Sequence, residues 1–341
     1  MLVCYSSLGR NASTRNREVR PSYGNLACGI LLTLSIMAGF SLLAFGSGKQ
    51  QTMMDDLRGS ERTNGWHVLV SAEGIYYLDL AHSALKAIYV PPGGSAVSFV
   101  GMASLNPDGS RIAFSESVGL RSYSLTMLDV QTGQRMALLE LPYLMSPRWS
   151  PDGASIAFEG TKTHRAGASS LFLYKVGVAE PSRIVDANIQ SGDFLLSWSP
   201  DGSRIVYQNA ADKVCIVEVG SKASTVIGPG RFPSWSPDGK YISYQVDDGE
   251  YCLYDLQTRQ STSILKGESV QRTLVWSPDS RYVVYSRLSG GLRSHIAGIL
   301  STSDTYGDLY VMDIRSKTEA RVYRHDGSLY PTAWGKIQMN Q

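Results

Sequence analysis

A short motif recurs along most of this chain and narrows what it can fold into. The stretch SWSPDGSRIVY around Trp198 has close copies in RWSPDGASIAF around Trp149, SWSPDGKYISY around Trp235 and VWSPDSRYVVY around Trp276. A weaker copy, SLNPDGSRIAF, carries Leu105 in the tryptophan place, and a truncated one, PTAWGK, contains Trp334. This position recurs at spacings of 44, 49, 37, 41 and 58 residues. A period of about 40–50 residues suits one four-stranded propeller blade.

Each copy has the same internal grammar. A short apolar stretch ends in Trp-Ser, and Pro-Asp-Gly makes a tight turn. Proline pre-sets φ, aspartate bonds the local backbone and glycine takes positive φ. An alternating run such as Ile205-Val206-Tyr207 follows. A third strand then ends near an acid: Asp79, Asp129, Glu218, Asp255 or Asp313, with Lys175 breaking the series in the third unit. A weaker fourth strand, as in Ser261 to Leu265, closes the unit. Strands bounded by turns at this density indicate an all-β chain. The first unit, Trp66 to Val90, lacks its turn-bearing strand, while Tyr330 to Lys336 is an innermost strand with no blade after it. Joined, they make a sixth blade from both chain ends and remove open sheet edges. The expected fold is an all-β, six-bladed β-propeller of four-stranded blades over 66–341, closed by N- and C-terminal strands.

One N-terminal transmembrane helix is expected to precede it. Leu26 to Phe45 is a run of 20 residues without a charge, about enough to cross a bilayer. Residues 1–25 carry Arg10, Arg15, Arg17 and Arg20 against Glu18, which puts this basic lead on the cytoplasmic side and the propeller beyond the membrane. That is a single-pass anchor with a periplasmic or extracytoplasmic propeller. The alternative is a signal segment, cleaved after Ala44-Phe45-Gly46, and a secreted chain. Residues 46–65 are polar and glycine-containing and read as a linker.

The repeat resembles the TolB-like propellers and the wider class of WD-like repeats with a Pro-Asp-Gly turn, over roughly Trp66 to Lys336. The resemblance implies a propeller that binds protein partners. Related propellers also gate prolyl-oligopeptidase-type enzymes, and a few are polysaccharide lyases. The family's type member has an α/β domain before its propeller, whereas only a membrane segment and a linker are expected here.

Candidate chemistry is sparse. Asp108, Asp152, Asp201, Asp238 and Asp279 recur once per blade, so turn chemistry explains them. The repeated tryptophans read as packing between blades. No GxSxG elbow is present, and His67, His82, His164, His295 and His325 show no ligand spacing. No catalytic residue, metal or cofactor is assigned. Cys215 and Cys252 occupy matching strands of neighbouring blades, too far apart to bridge, and are expected as buried free thiols. A formal net charge of +2 excludes a general nucleic-acid binder.

The face opposite the Pro-Asp-Gly turns carries the long loops, and irregular loops on a rigid scaffold carry function. Arg165, Arg231, Arg287, Arg293, His295 and His325 make that face partly basic. The expected function is non-catalytic binding or scaffolding by a monomeric propeller. Its partner is a protein, a peptide or an envelope component such as a glycan, met on this face. The rival reading is a metal-dependent polysaccharide lyase or hydrolase on the same scaffold.

Overall fold

The computed structural model describes residues 48–338, apart from 72–73, 81, 92–101, 120–121, 164–168, 187–195, 248, 268–269, 290–305 and 327–328. The predicted span 26–45 and its basic lead lie outside the described residues. Within them, no helix is long and apolar enough to cross a membrane.

Six four-stranded antiparallel sheets follow one another in chain order. A helix, α1 (Gly48–Asn64), precedes β1 (Trp66–Ser71), β2 (Ile75–Asp79) and β3 (Ala84–Tyr89). The first complete blade is β4 (Ser104–Leu105), β5 (Arg111–Ser117), β6 (Tyr123–Asp129) and β7 (Arg135–Leu141). The second is β8 (Tyr143–Trp149), β9 (Ser155–Thr161), β10 (Ser170–Lys175) and β11 (Ser182–Val185). The third is β12 (Leu196–Trp198), β13 (Arg204–Gln208), β14 (Lys213–Glu218) and β15 (Ser224–Pro229). The fourth is β16 (Arg231–Trp235), β17 (Tyr241–Asp247), β18 (Glu250–Asp255) and β19 (Ser261–Lys266). The fifth is β20 (Val270–Trp276), β21 (Tyr282–Ser289), β22 (Tyr306–Asp313) and β23 (Glu319–Asp326).

The last strand, β24 (Tyr330–Lys336), pairs with β1 from Trp66↔Lys336 to Ser71↔Tyr330. It becomes the inner strand of a sixth sheet ordered β24-β1-β2-β3. The closure read from the two incomplete repeats is therefore what the chain does.

Strand periodicity builds the core. Successive side chains point to opposite faces of a sheet, and in a ring both faces of every blade meet a neighbour. In β13, Ile205 and Tyr207 pack with Leu171 and Leu173 of the blade before, while Val206 packs with Ile242 and Tyr244 of the blade after. The same division repeats around the ring, and the last cluster joins β1 and β2 to β21 and β22 through Val68, Leu78, Val284 and Leu309. Cys215 and Cys252 are buried free thiols in adjacent blades.

The segment expected as a polar linker departs from that reading, because it is α1. Its Met53 and Leu57, one turn apart, are 3% and 1% exposed within the cluster between the fifth and closing blades. Gln50 Nε2 donates to the Glu319 carbonyl at 2.7 Å, and Asp56 pairs with Arg281 at 3.1 Å. Packing on the propeller supplies the stability that its polar sequence lacks.

Candidate functional site

The Pro-Asp-Gly turns close one end of the ring. In the third blade Ser199 Oγ donates to Asp201 Oδ1 at 2.5 Å and accepts the Arg204 N–H at 2.9 Å. Asp201 Oδ1 also accepts the Ser203 N–H at 3.0 Å. Asp152, Asp238 and Asp279 repeat this arrangement with Ser150, Ser236 and Ser277, and Asp108 does so with Asn106. The turn glycines take positive φ, from 69° at Gly153 to 80° at Gly109. In the fifth blade Ser280 adopts φ 58° instead, and its hydroxyl accepts the Asp238 N–H of the neighbouring turn at 2.9 Å.

These bonds favour ionised carboxylates. The Ser199 hydroxyl, and then the Ser203 amide, hold Asp201 down at about 2. Asp108 and Asp152 are lowered by the serine hydrogen bonds in their own turns. Asp238 is lowered too, because the bond from Ser236 and its partners outweigh the opposing effect of burial. A carboxyl whose pKa lies below its unfolded value of about 3.9 adds stability above that pH and loses it as pH falls through the folded pKa. The thermal midpoint should therefore drop between about pH 4 and pH 2. Asp201→Asn should show a shallower drop, and an unchanged slope in that variant would refute a role for this turn carboxylate.

Inside the ring of turns the channel opens into a funnel of about 650 Å³. It is lined in part by Trp66, Trp149, Trp198, Trp235 and Trp334. Its rim carries the turn prolines Pro107, Pro151, Pro200, Pro237 and Pro278. The tryptophans do pack between blades, as expected: Trp149, Trp235 and Trp276 are buried, and Trp198 Nε1 donates to the Arg148 carbonyl of the preceding blade at 3.1 Å. All of these but Trp276 also line the cavity, which the packing reading did not foresee. The charged lining residues are Arg148 and Lys336. Burial lowers the Arg148 guanidinium to about 10, still cationic at neutral pH.

The opposite face was the expected binding surface. Arg165, Arg293 and His295 lie outside the described residues, and His325 is described only as part of β23. Arg231 Nη2 pairs with Asp212 at 2.7 Å. Arg287 makes a forked pair with Glu319 at 3.0 and 3.1 Å. Its guanidinium also sits 4.8 Å from the Tyr310 ring centroid. Burial opposes the charge on Arg287, but the Glu319 bond carries its pKa upward. Lys162 is likewise held by Glu180 at 2.9 Å. Among the described residues, Arg231, Arg287 and Lys162 are thus each paired with a nearby carboxylate. Among the described residues, no three of His, Cys, Asp or Glu are grouped to hold a metal.

Sequence reasoning missed the funnel because it treated the residue before each tryptophan as part of a uniform strand. The signal was there: that position reads Ser104, Arg148, Ser197, Ser234, Val275 and Ala333, with one large cation among small residues.

A search of curated proteins finds no match. Among solved structures, TolB from Acinetobacter baumannii is similar with a TM-score of 0.64 and 17% identity, covering 83% of this chain and 71% of that one. A putative TolB from Agrobacterium tumefaciens is similar with a TM-score of 0.59 and 15% identity, covering 80% and 93%. At these identities the likeness is one of fold. A family model described as the TolB beta propeller domain matches residues 100–337, the greater part of the chain. Repeat, ring closure and family match agree: this chain belongs to the TolB beta propeller domain family.

Proposed function

We propose that the chain is a non-catalytic binding propeller that receives a protein or peptide segment in its tryptophan-lined funnel. The observation that carries this reading is the funnel itself. Its volume of about 650 Å³ falls in the range of ligand sites, about 300–1,000 Å³. Its aromatic and proline lining sits on strand ends and hydrogen-bonded turns, so little is lost in ordering it when a ligand arrives. The described arginines of the opposite face, Arg231 and Arg287, are instead paired with Asp212 and Glu319. In this proposal residues 26–45 anchor the propeller on the far side of a membrane, which in a bacterium is the periplasm.

Capture of partners from detergent-solubilised membranes tests both parts. The full chain is the bait, beside a funnel variant (Trp66→Ala with Trp198→Ala) and a variant with residues 290–305 replaced by a short glycine-serine linker. Partners should be retained by the full chain and the loop variant and lost from the funnel variant. Loss from the loop variant alone would move the site to the opposite face. No partner with any bait would refute binding, and recovery of the chain in the soluble fraction would refute the anchor.

A further inference from the structure

Arg148 stands in the funnel without an anion. A guanidinium offers five N–H donors. Arg148 Nη1 donates to the Pro147 carbonyl at 3.0 Å, and Nη2 has Met102 Sδ at 3.7 Å. No Asp or Glu lines the funnel, and among the described residues Arg148 makes no ion pair. Arg148 is partly buried, so its charge is poorly hydrated on one side and open to an anion on the other.

The fold does not require an arginine here. β8 reaches this position through a bulge in which Ser146 has φ 51° and Pro147 follows. β16 makes the same bulge with Phe232 at φ 53° and Pro233, and there the equivalent residue is Ser234. Serine, valine or alanine fills the place in the other blades. The ring therefore closes with small residues, and Arg148 is an addition whose charge has no use within the described structure.

We infer that the funnel selects a partner segment bearing a carboxylate, and that this carboxylate docks on the Arg148 guanidinium. The planar fork of arginine fits a carboxylate with two parallel bonds. The surrounding indoles and prolines suit the apolar chain that carries it. The carboxylate is either a chain terminus or an acidic side chain. This inference rests on the funnel being the binding site.

The test is selection from a random peptide library with free C-termini on the full chain. Enriched peptides should share a carboxylate at one position. Arg148→Met should weaken them by about tenfold or more, the scale of a lost charge-assisted bond. Arg148→Lys should fall between. Converting the shared carboxylate to its amide should cost the wild-type chain as much, and whether the terminal or the side-chain amide does so names the source. The thermal midpoint of Arg148→Met should equal or exceed that of the wild type, whereas an arginine that props the strand would lower it. Peptides lost by the Trp66→Ala, Trp198→Ala variant but indifferent to amidation would overturn the inference and leave the funnel reading intact. Peptides indifferent to the tryptophan changes, or no retained peptide, would overturn the funnel reading itself.

Discussion

Deleting residues 330–341 should leave a chain that no longer unfolds as one cooperative unit and that self-associates. β24 is the inner strand of the closing blade, bonded along the whole of β1. Ile337 beyond it is 7% exposed in the core shared with the first complete blade, and Trp334 packs on the core shared with the fifth. The Gln338 N–H then donates to the Gly109 carbonyl at 2.9 Å, fastening the tail to the first Pro-Asp-Gly turn. Losing a large buried aliphatic side chain alone costs about 2–5 kcal/mol. Losing the strand as well approaches the whole stability of a typical domain, about 5–15 kcal/mol. It also exposes the β1 edge for pairing with another chain. Size-exclusion chromatography and near-ultraviolet circular dichroism report both effects. Gly109→Ala is a graded version: a Cβ there overlaps the Lys336 carbonyl, at a φ of +80° that favours glycine. It should cost about 1–3 kcal/mol. A deletion variant that stays monomeric with an unchanged midpoint would refute closure by this strand.

Leu57→Asp should destabilise the chain by about 4 kcal/mol, combining a lost aliphatic side chain with a buried charge. Leu57 is 1% exposed, and its contact cluster includes Met53 from the same helix and apolar residues of the fifth and closing blades. The Asp56–Arg281 pair and the Gln50 bond also attach the helix. The exposed ion pair adds at most about 1 kcal/mol. The variant should lose helical ellipticity and gain protease cleavage within 48–64 before the propeller melts. Leu57→Asp with wild-type stability and protease resistance would mean that α1 does not dock.

The propeller was legible because its signal is periodic and local. Trp-Ser, Pro-Asp-Gly and the alternating run each specify a strand or turn within a dozen residues, and repetition set the blade count. Closure was legible by subtraction, from an incomplete unit at each end. The helix was not, since α1 has little more than one apolar pair at helical spacing, with glycines at 48 and 59. The surface that stabilises it comes from blades hundreds of residues apart. The funnel was hidden for a related reason. No single repeat contains it, and only the ring brings Trp66 at the start of β1 beside Trp334 at the end of β24. The arginines of the long-loop face were visible as cations, but their partners Asp212 and Glu319 come from other strands and turns and were not paired with them in one dimension.

The join between the two ends also governs the order in which the molecule is made. Thr332 Oγ1 bonds the Leu69 carbonyl across 263 residues of chain. During synthesis, β1 to β3 emerge before the other blades and must wait, with one sheet edge unpaired, until β24 has been made. Blades between them can form as they appear, since each is local. The ring cannot shut early. A chain cut short by stalled translation or by a protease at its tail therefore keeps an open edge and remains distinguishable from the finished product by that edge alone.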